Sequence, residues 1–227
     1  MTRARELGIP FNGESGPLNA ITDVSGVQVG HETLITGEGA LEVGSGPVRT
    51  GVTAVLPRGV VNDPVFAGWY TLNGNGEMTG TTWVEESGFL EGPVMITNTH
   101  SVGAVHQGTL QWRVENGAAD ASGFWWSLPV VAETWDGYLN DINGFHVTPE
   151  HAFAALDAAK GGPVAECNVG GGTAMNCFEF KCGTGTSSRV SEAAGESYTV
   201  GVLVQANFGR RDELIVAGVP AGKHLRD

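Results

Sequence analysis

The chain has 227 residues, with 12 Lys and Arg against 25 Asp and Glu, for a formal charge of −13. That length supports one substantial core without disulfides or metals, so residues 1–227 are read as a single domain. The acidity disfavours nucleic acid and anionic membranes and favours small cationic ligands such as peptide amines, and no apolar run approaches the eighteen or so residues of a membrane span.

The opening stretch "MTRARELGIPFNGESGP" lacks an apolar signal core. A cytoplasmic location follows, or a periplasmic one if a signal was removed beforehand. Next come "AITDVSGVQVGHETLI", read as two short strands around a Ser-Gly turn, and "TGVTAVLP", a strand stopped by Pro57. "NGNGEMTGTT" is turn chemistry, and "PVMITNT" is a short buried strand. Val102, Val105 and Leu110 predict a helix over 101–114, weakened by Gly103 and Gly108.

"LPVVAE" is the next strand, and the clearest helix follows it. Thr148 is the N-cap, Pro149 the first position, and Gly161 the end. "PVAECNV", "CFEFK", "YTVGVLVQA" and "ELIVAGV" supply the remaining strands, so the chain is an α/β layered domain. Glycine, at 35 residues, is about twice its usual share of roughly 7%, which fits tight turns and close backbone approaches.

Two strands share a grammar: "LPVVAE" closes on Glu133 and "VGVLVQAN" closes on Asn207. A carboxylate leaving a buried strand needs a partner, because desolvating the charge costs several kcal/mol. An internal ion pair or cap and a ligand ammonium are both open for Glu133. Asn207 either pairs with neighbouring backbone or offers its amide N–H groups to a developing oxyanion. The histidines have no metal-ligand spacing, and no metal site is expected. "VGGGTAMN" lacks both phosphate-loop patterns and reads as a tight turn at a close-packed or substrate-lining edge; no cofactor is expected. The hydroxyls of "GTGTSSRV" lack a nucleophile elbow and read as a solvated turn. Cys167, Cys177 and Cys182 lack CxxC spacing and read as buried structural thiols.

Five ordered stretches carry a resemblance: "PLNAITDVSGVQVGHETL", "VRTGVTAVLPRG", "NGNGEMTGTTWVEESGFLEGPVMITNTHSVGAVHQG", "VAETWDGYLNDING" and "VGVLVQANFGRRDELIVAGVP". Together they resemble the β-peptidyl aminopeptidases and the L-aminopeptidase/D-amidase/D-esterase, which are self-processing N-terminal-nucleophile hydrolases. The resemblance implies an αββα sandwich of the aminopeptidase/ornithine acetyltransferase type. It also implies that this chain is the α chain, completed by a separate β chain that begins with the nucleophilic serine. Four such αβ units would assemble, acting on short peptides and amides.

By the same resemblance Asn207 binds the oxyanion and Glu133 holds the substrate's free amino group. Trp135 stands where D-amidase relatives carry Tyr; indole cannot replace a phenol's acceptor role, so Trp135 is a pocket wall. Phe124, with Trp125 and Trp126, either adds apolar lining or belongs to the core. The general base is the serine's own α-amine or side chains of the β chain. Acyl transfer of the ornithine acetyltransferase type and a non-catalytic acidic binding module stay open as other readings.

Overall fold

The computed structural model describes residues 3–60, 63–116 and 126–225. In chain order the strands are β1 (Gln28–Thr36), β2 (Val48–Val60), β3 (Val65–Phe66), β4 (Phe89–Leu90), β5 (Val94–Asn98), β6 (Val130–Thr134), β7 (Asn176–Cys177), β8 (Phe180–Lys181), β9 (Thr184–Ala193) and β10 (Glu196–Gln205). The helices are α1 (Thr81–Ser87), α2 (Val102–Asn116) and α3 (Pro149–Asp157).

The main sheet runs β1-β2-β5-β6. β1 and β2 form a long antiparallel pair, from Gln28 opposite Leu56 to Thr36 opposite Val48. β5 and β6 are parallel, with Val94 opposite Val130 and Asn98 opposite Thr134. α2 lies between them in sequence and supplies the crossover that parallel neighbours require. Val52, Ala54 and Leu56 of β2, Met95 of β5 and Val131 of β6 meet Val105 and Trp112 of α2 and Ala152, Ala155 and Leu156 of α3 in one buried cluster. The helices therefore cover one face of the sheet.

Glycine sets how closely these layers approach. A Cβ on Gly30 of β1 would lie 2.0 Å from the carbonyl oxygen of Ala155 in α3. Backbone cannot step aside as a flexible side chain can. Gly30→Ala is expected to destabilise the fold by about 3 kcal/mol or more, the upper end of overpacking costs. At Gly161 the nearest atom to an added Cβ is 4.0 Å away, so Gly161→Ala should stay within about 0.5 kcal/mol of the parent. Urea unfolding of both variants checks the contrast.

On the other face sits the "VGGG" segment. Its 3-10 turn Gly170–Gly172 is buried, donating Gly170 N–H to Thr33 Oγ1 at 2.8 Å and Gly171 N–H to Thr53 Oγ1 at 3.2 Å. An added Cβ at Gly171 would meet Gln205 Oε1 at 2.6 Å and Ile96 O at 2.9 Å. The close-packed turn expected from the sequence is what this segment forms.

Several sequence expectations need correction. No first strand forms over "AITDV": Asp23 accepts hydrogen bonds from Leu18 N, Ala20 N and Ser188 Oγ, which fold Ile21–Asp23 into a 3-10 turn. Pro57 does not stop β2. It falls just beyond the last pair with β1, Gln28 and Leu56, where a missing N–H breaks no ladder bond. "CFEFK" is a hairpin rather than a strand, because Phe178 and Glu179 both take positive φ, 53° and 62°, between β7 and β8. "PVAECNV" contributes one bridge, Cys167 to Thr184, with Cys167 itself at φ 69°.

"ELIVAGV" folds tightly on itself, Val216 bridging Val219 around Ala217 and Gly218. Conversely "GTGTSSRV" is not a solvated turn. It lies in β9, with Thr184, Thr186 and Ser188 buried on alternate positions. Its partner β10 is not a buried strand either, since Val200, Val202 and Val204 are 56%, 48% and 45% exposed along one face. α3 ends at Asp157, short of Gly161. The thiols are reduced, with Cys177 buried and Cys167 and Cys182 half-buried. Burial, with Cys182 alongside, pushes the Cys177 thiol up to about 11, so it stays protonated and inert.

Candidate active site

Parallel strands collect chemistry at their carboxyl ends, because the chain leaves the sheet there and side chains meet solvent. Here those ends are Asn98 of β5 and Thr134 of β6. Glu133 is the penultimate residue of β6, not its last. Its Oε2 accepts a hydrogen bond from Thr99 Oγ1 at 2.5 Å, and Gly76 leaves room beside Oε1, where an added Cβ would approach to 3.3 Å. Among the described residues no Lys, Arg or His forms an ion pair with Glu133. An internal salt bridge is therefore not what holds this half-buried carboxylate, and a hydroxyl is its partner.

Asn207 lies two residues beyond β10, outside the strand. Its Oδ1 accepts the Trp135 N–H at 3.0 Å and its Nδ2 donates to the Trp135 carbonyl at 3.1 Å. The side chain thus pairs with the N–H and C=O of a single residue, as a neighbouring strand would. A second, longer contact from Nδ2 reaches the Asn176 carbonyl at 3.4 Å. Gln205 Nε2 donates to Thr134 Oγ1 at 2.5 Å, so β10 is tied to the end of β6 at two successive points. The two polar strand ends of the sequence converge on Thr134 and Trp135.

The surrounding elements hold Asn207 in place. Phe178 N–H donates to the Phe208 carbonyl at 2.8 Å, and the two rings meet edge to face at 5.1 Å. Gly209, at φ 82°, turns the chain where an added Cβ would strike the Phe178 ring at 2.5 Å. A depression bordered by Tyr138, Asn176, Glu179, Asn207, Phe208 and Arg211 opens beside the amide.

Trp135 is 52% exposed, with its indole over Gly137, where an added Cβ would lie 2.9 Å from the ring. At that exposure Trp135 is no part of the core. Phe124 and Trp125 fall outside the described residues. Trp126 is exposed and meets the Trp83 ring edge-on at 5.4 Å. Sequence reasoning missed Thr99, Gln205 and the buried set Thr50, Asn98, Asp136 and Asn140. The runs "TNTH" and "DGYLND" were its available signal, being dense in small polar residues where strands end.

The peptidase family S58 model matches residues 19–227. Over 224 residues the chain is 62% identical to a β-peptidyl aminopeptidase BapA of Sphingosinicella microcystinivorans, and it is 55% identical to another from Sphingosinicella xenopeptidilytica. It covers 98% and 99% of itself in those matches but 56% of each relative, so it spans a little over half their length. Among solved structures, the L-aminopeptidase D-Ala-esterase/amidase of Ochrobactrum anthropi is 54% identical with a TM-score of 0.93, covering 99% of this chain and 63% of that one. That protein is described as a prototype of the serine aminopeptidases and a new variant of the Ntn hydrolase fold. A β-aminopeptidase of a Burkholderia species is 51% identical with a TM-score of 0.91, covering 99% of this chain and 62% of that one. With an α/β architecture, Ntn-hydrolase neighbours and a family model spanning most of its length, this chain belongs to peptidase family S58.

Proposed function

We propose that the chain is the upstream half of a self-processed aminopeptidase that releases N-terminal residues, β-amino acids included, from short peptides and amides. A partner chain from the same precursor brings the nucleophile, a serine at its own N-terminus, and completes the αββα sandwich. The serine alkoxide attacks the amide carbonyl, an acyl-enzyme forms as the amine leaves, and water releases the residue. Glu133 receives the substrate's ammonium, which restricts cleavage to free N-termini. Asn207 offers an N–H to the oxyanion, exchanging its 3.4 Å contact with Asn176 for a charge-assisted bond.

The pairing of Asn207 with the backbone of Trp135, two residues beyond Glu133, carries this reading. The row of exposed valines on β10 supports a partner, since contiguous exposed apolar surface of this kind marks interaction sites. Phe66, Tyr70 and Leu72, also exposed, are available for a four-unit assembly.

Expression of the full-length gene product tests the reading. Two polypeptides are expected, the second opening on serine by N-terminal sequencing. Peptides with a free β-amino terminus are expected to be cleaved and their N-acetylated forms left intact. A single unprocessed chain, or equal turnover of blocked substrates, would overturn it.

A further inference from the structure

The turn "NGNG" at 73–76 ends beside Glu133, and backbone bonds put it there. Met78 bridges Ala132, the Glu133 N–H donates to the Glu77 carbonyl at 3.1 Å, and the Thr79 N–H donates to the Val131 carbonyl at 3.0 Å. Thr79 adds its side chain, whose Oγ1 donates to the Pro129 carbonyl at 2.7 Å and accepts the Val131 N–H at 3.0 Å. Residues 77–79 thus run antiparallel along the outer edge of β6. Before them the Asn75 N–H donates to Asn73 Oδ1 at 2.9 Å, a side-chain-closed turn. Gly76 joins the turn to the edge.

The space at Gly76 has a single boundary. Among the described residues, chain neighbours aside, Glu133 Oε1 at 3.3 Å is the one atom within 4 Å of an added Cβ. Gly76 is exposed and its backbone lies outside the left-handed region. Neither packing nor a positive φ calls for glycine here. What a side chain would obstruct is the carboxylate.

A carboxylate offers about four lone-pair sites on its two oxygens. Thr99 Oγ1 takes one of them at Oε2. Oε1 receives no hydrogen bond among the described residues, and it is not shut away from solvent. Open, charged and beside a residue with no side chain, Oε1 is the oxygen available to a cation.

We propose that Gly76 is a specificity-determining residue, whose missing side chain leaves the seat from which a substrate's primary ammonium reaches Glu133 Oε1. This deepens, and rests on, the reading of Glu133 given above. A charge-assisted N–H···O bond needs about 2.8 Å between nitrogen and oxygen. A methyl carbon held 3.3 Å from the same oxygen displaces the ammonium or pushes it off line. It leaves Asn207 and the incoming serine untouched. A side chain at 76 therefore acts on binding of the amino terminus, not on bond cleavage.

Gly76→Ala in the full-length enzyme, assayed on a dipeptide with a free β-amino terminus, tests this. KM should rise about tenfold or more, since small misplacements of a bound group are costly, while kcat stays within about threefold. Gly74→Ala is the control. It lies in the same turn, also outside the left-handed region, with no described atom within 4 Å of an added Cβ, and it should leave KM at the parent's value. In a Glu133→Gln background Gly76→Ala should add less than about twofold, because the charge it obstructs is gone.

An unchanged KM in Gly76→Ala, an equal rise in Gly74→Ala, or the full loss persisting beside Glu133→Gln would overturn the inference. If Gly76→Ala melts early, the Glu133→Gln background still decides, because a damaged fold costs activity with or without the charge. Glu133→Gln alone separates the two ideas. A raised KM there with none in Gly76→Ala sinks the role of Gly76 only, whereas an unchanged KM in Glu133→Gln sinks the reading of Glu133.

Discussion

Glu133→Gln is expected to lower kcat/KM for peptides with a free amino terminus by about 2 kcal/mol or more, roughly thirtyfold, and to do so mainly through KM. The substitution keeps an oxygen that can accept from Thr99 Oγ1, the carboxylate's hydrogen-bond donor, so the corner should fold unchanged. It removes the charge that would answer an ammonium. Because Glu133 is half-buried, the loss should lie toward the lower end for charge pairs, where solvent still screens the site.

A substrate series separates this role from a structural one. With N-acetylated peptides parent and variant should be equally poor, since neither meets a cation. If the variant loses the same factor on blocked and free substrates, or unfolds, Glu133 serves the fold and not the amine. Steady-state kinetics on matched peptide pairs, with thermal melts of both proteins, give the answer.

Legibility in the sequence followed the range of the forces involved. α2 and α3 were readable because apolar spacing and the Thr148-Pro149 start are local signals, and they appear close to where they were expected. α1 was missed, though Gly88, at φ 74°, is a helix-ending glycine that could have announced it. "GTGTSSRV" was misread because its hydroxyls are satisfied across the molecule: Ser188 Oγ on Asp23 and Thr186 Oγ1 on the Val202 carbonyl. Nothing within the octapeptide shows those partners.

The candidate site divides the same way. Glu133 and Asn207 stood out as polar groups closing apolar strands. That Asn207 reaches Trp135, two residues after Glu133, depends on contacts between residues 72 apart in sequence. The Asp136 cluster was invisible for the same reason, since its members come from β2, β5 and the loop after β6.

Asn207→Ala is expected to lower kcat by about a hundred- to a thousandfold, the cost of removing one oxyanion donor, about 2.7 to 4 kcal/mol. KM should change little, because the oxyanion exists only after attack and its donor binds the ground state weakly. The alanine also releases the Trp135 N–H and carbonyl from the clamp. Trp135 is more than half exposed at 52%, so water can take over those bonds and the stability loss should stay near 1 kcal/mol. Asn207→Asp sharpens the test. A carboxylate can still accept the Trp135 N–H but cannot donate, and its charge would oppose the developing oxyanion. It should be at least as inactive as the alanine variant while melting closer to the parent. Were Asn207 a clamp alone, the order of activity would follow stability and the aspartate would outperform the alanine.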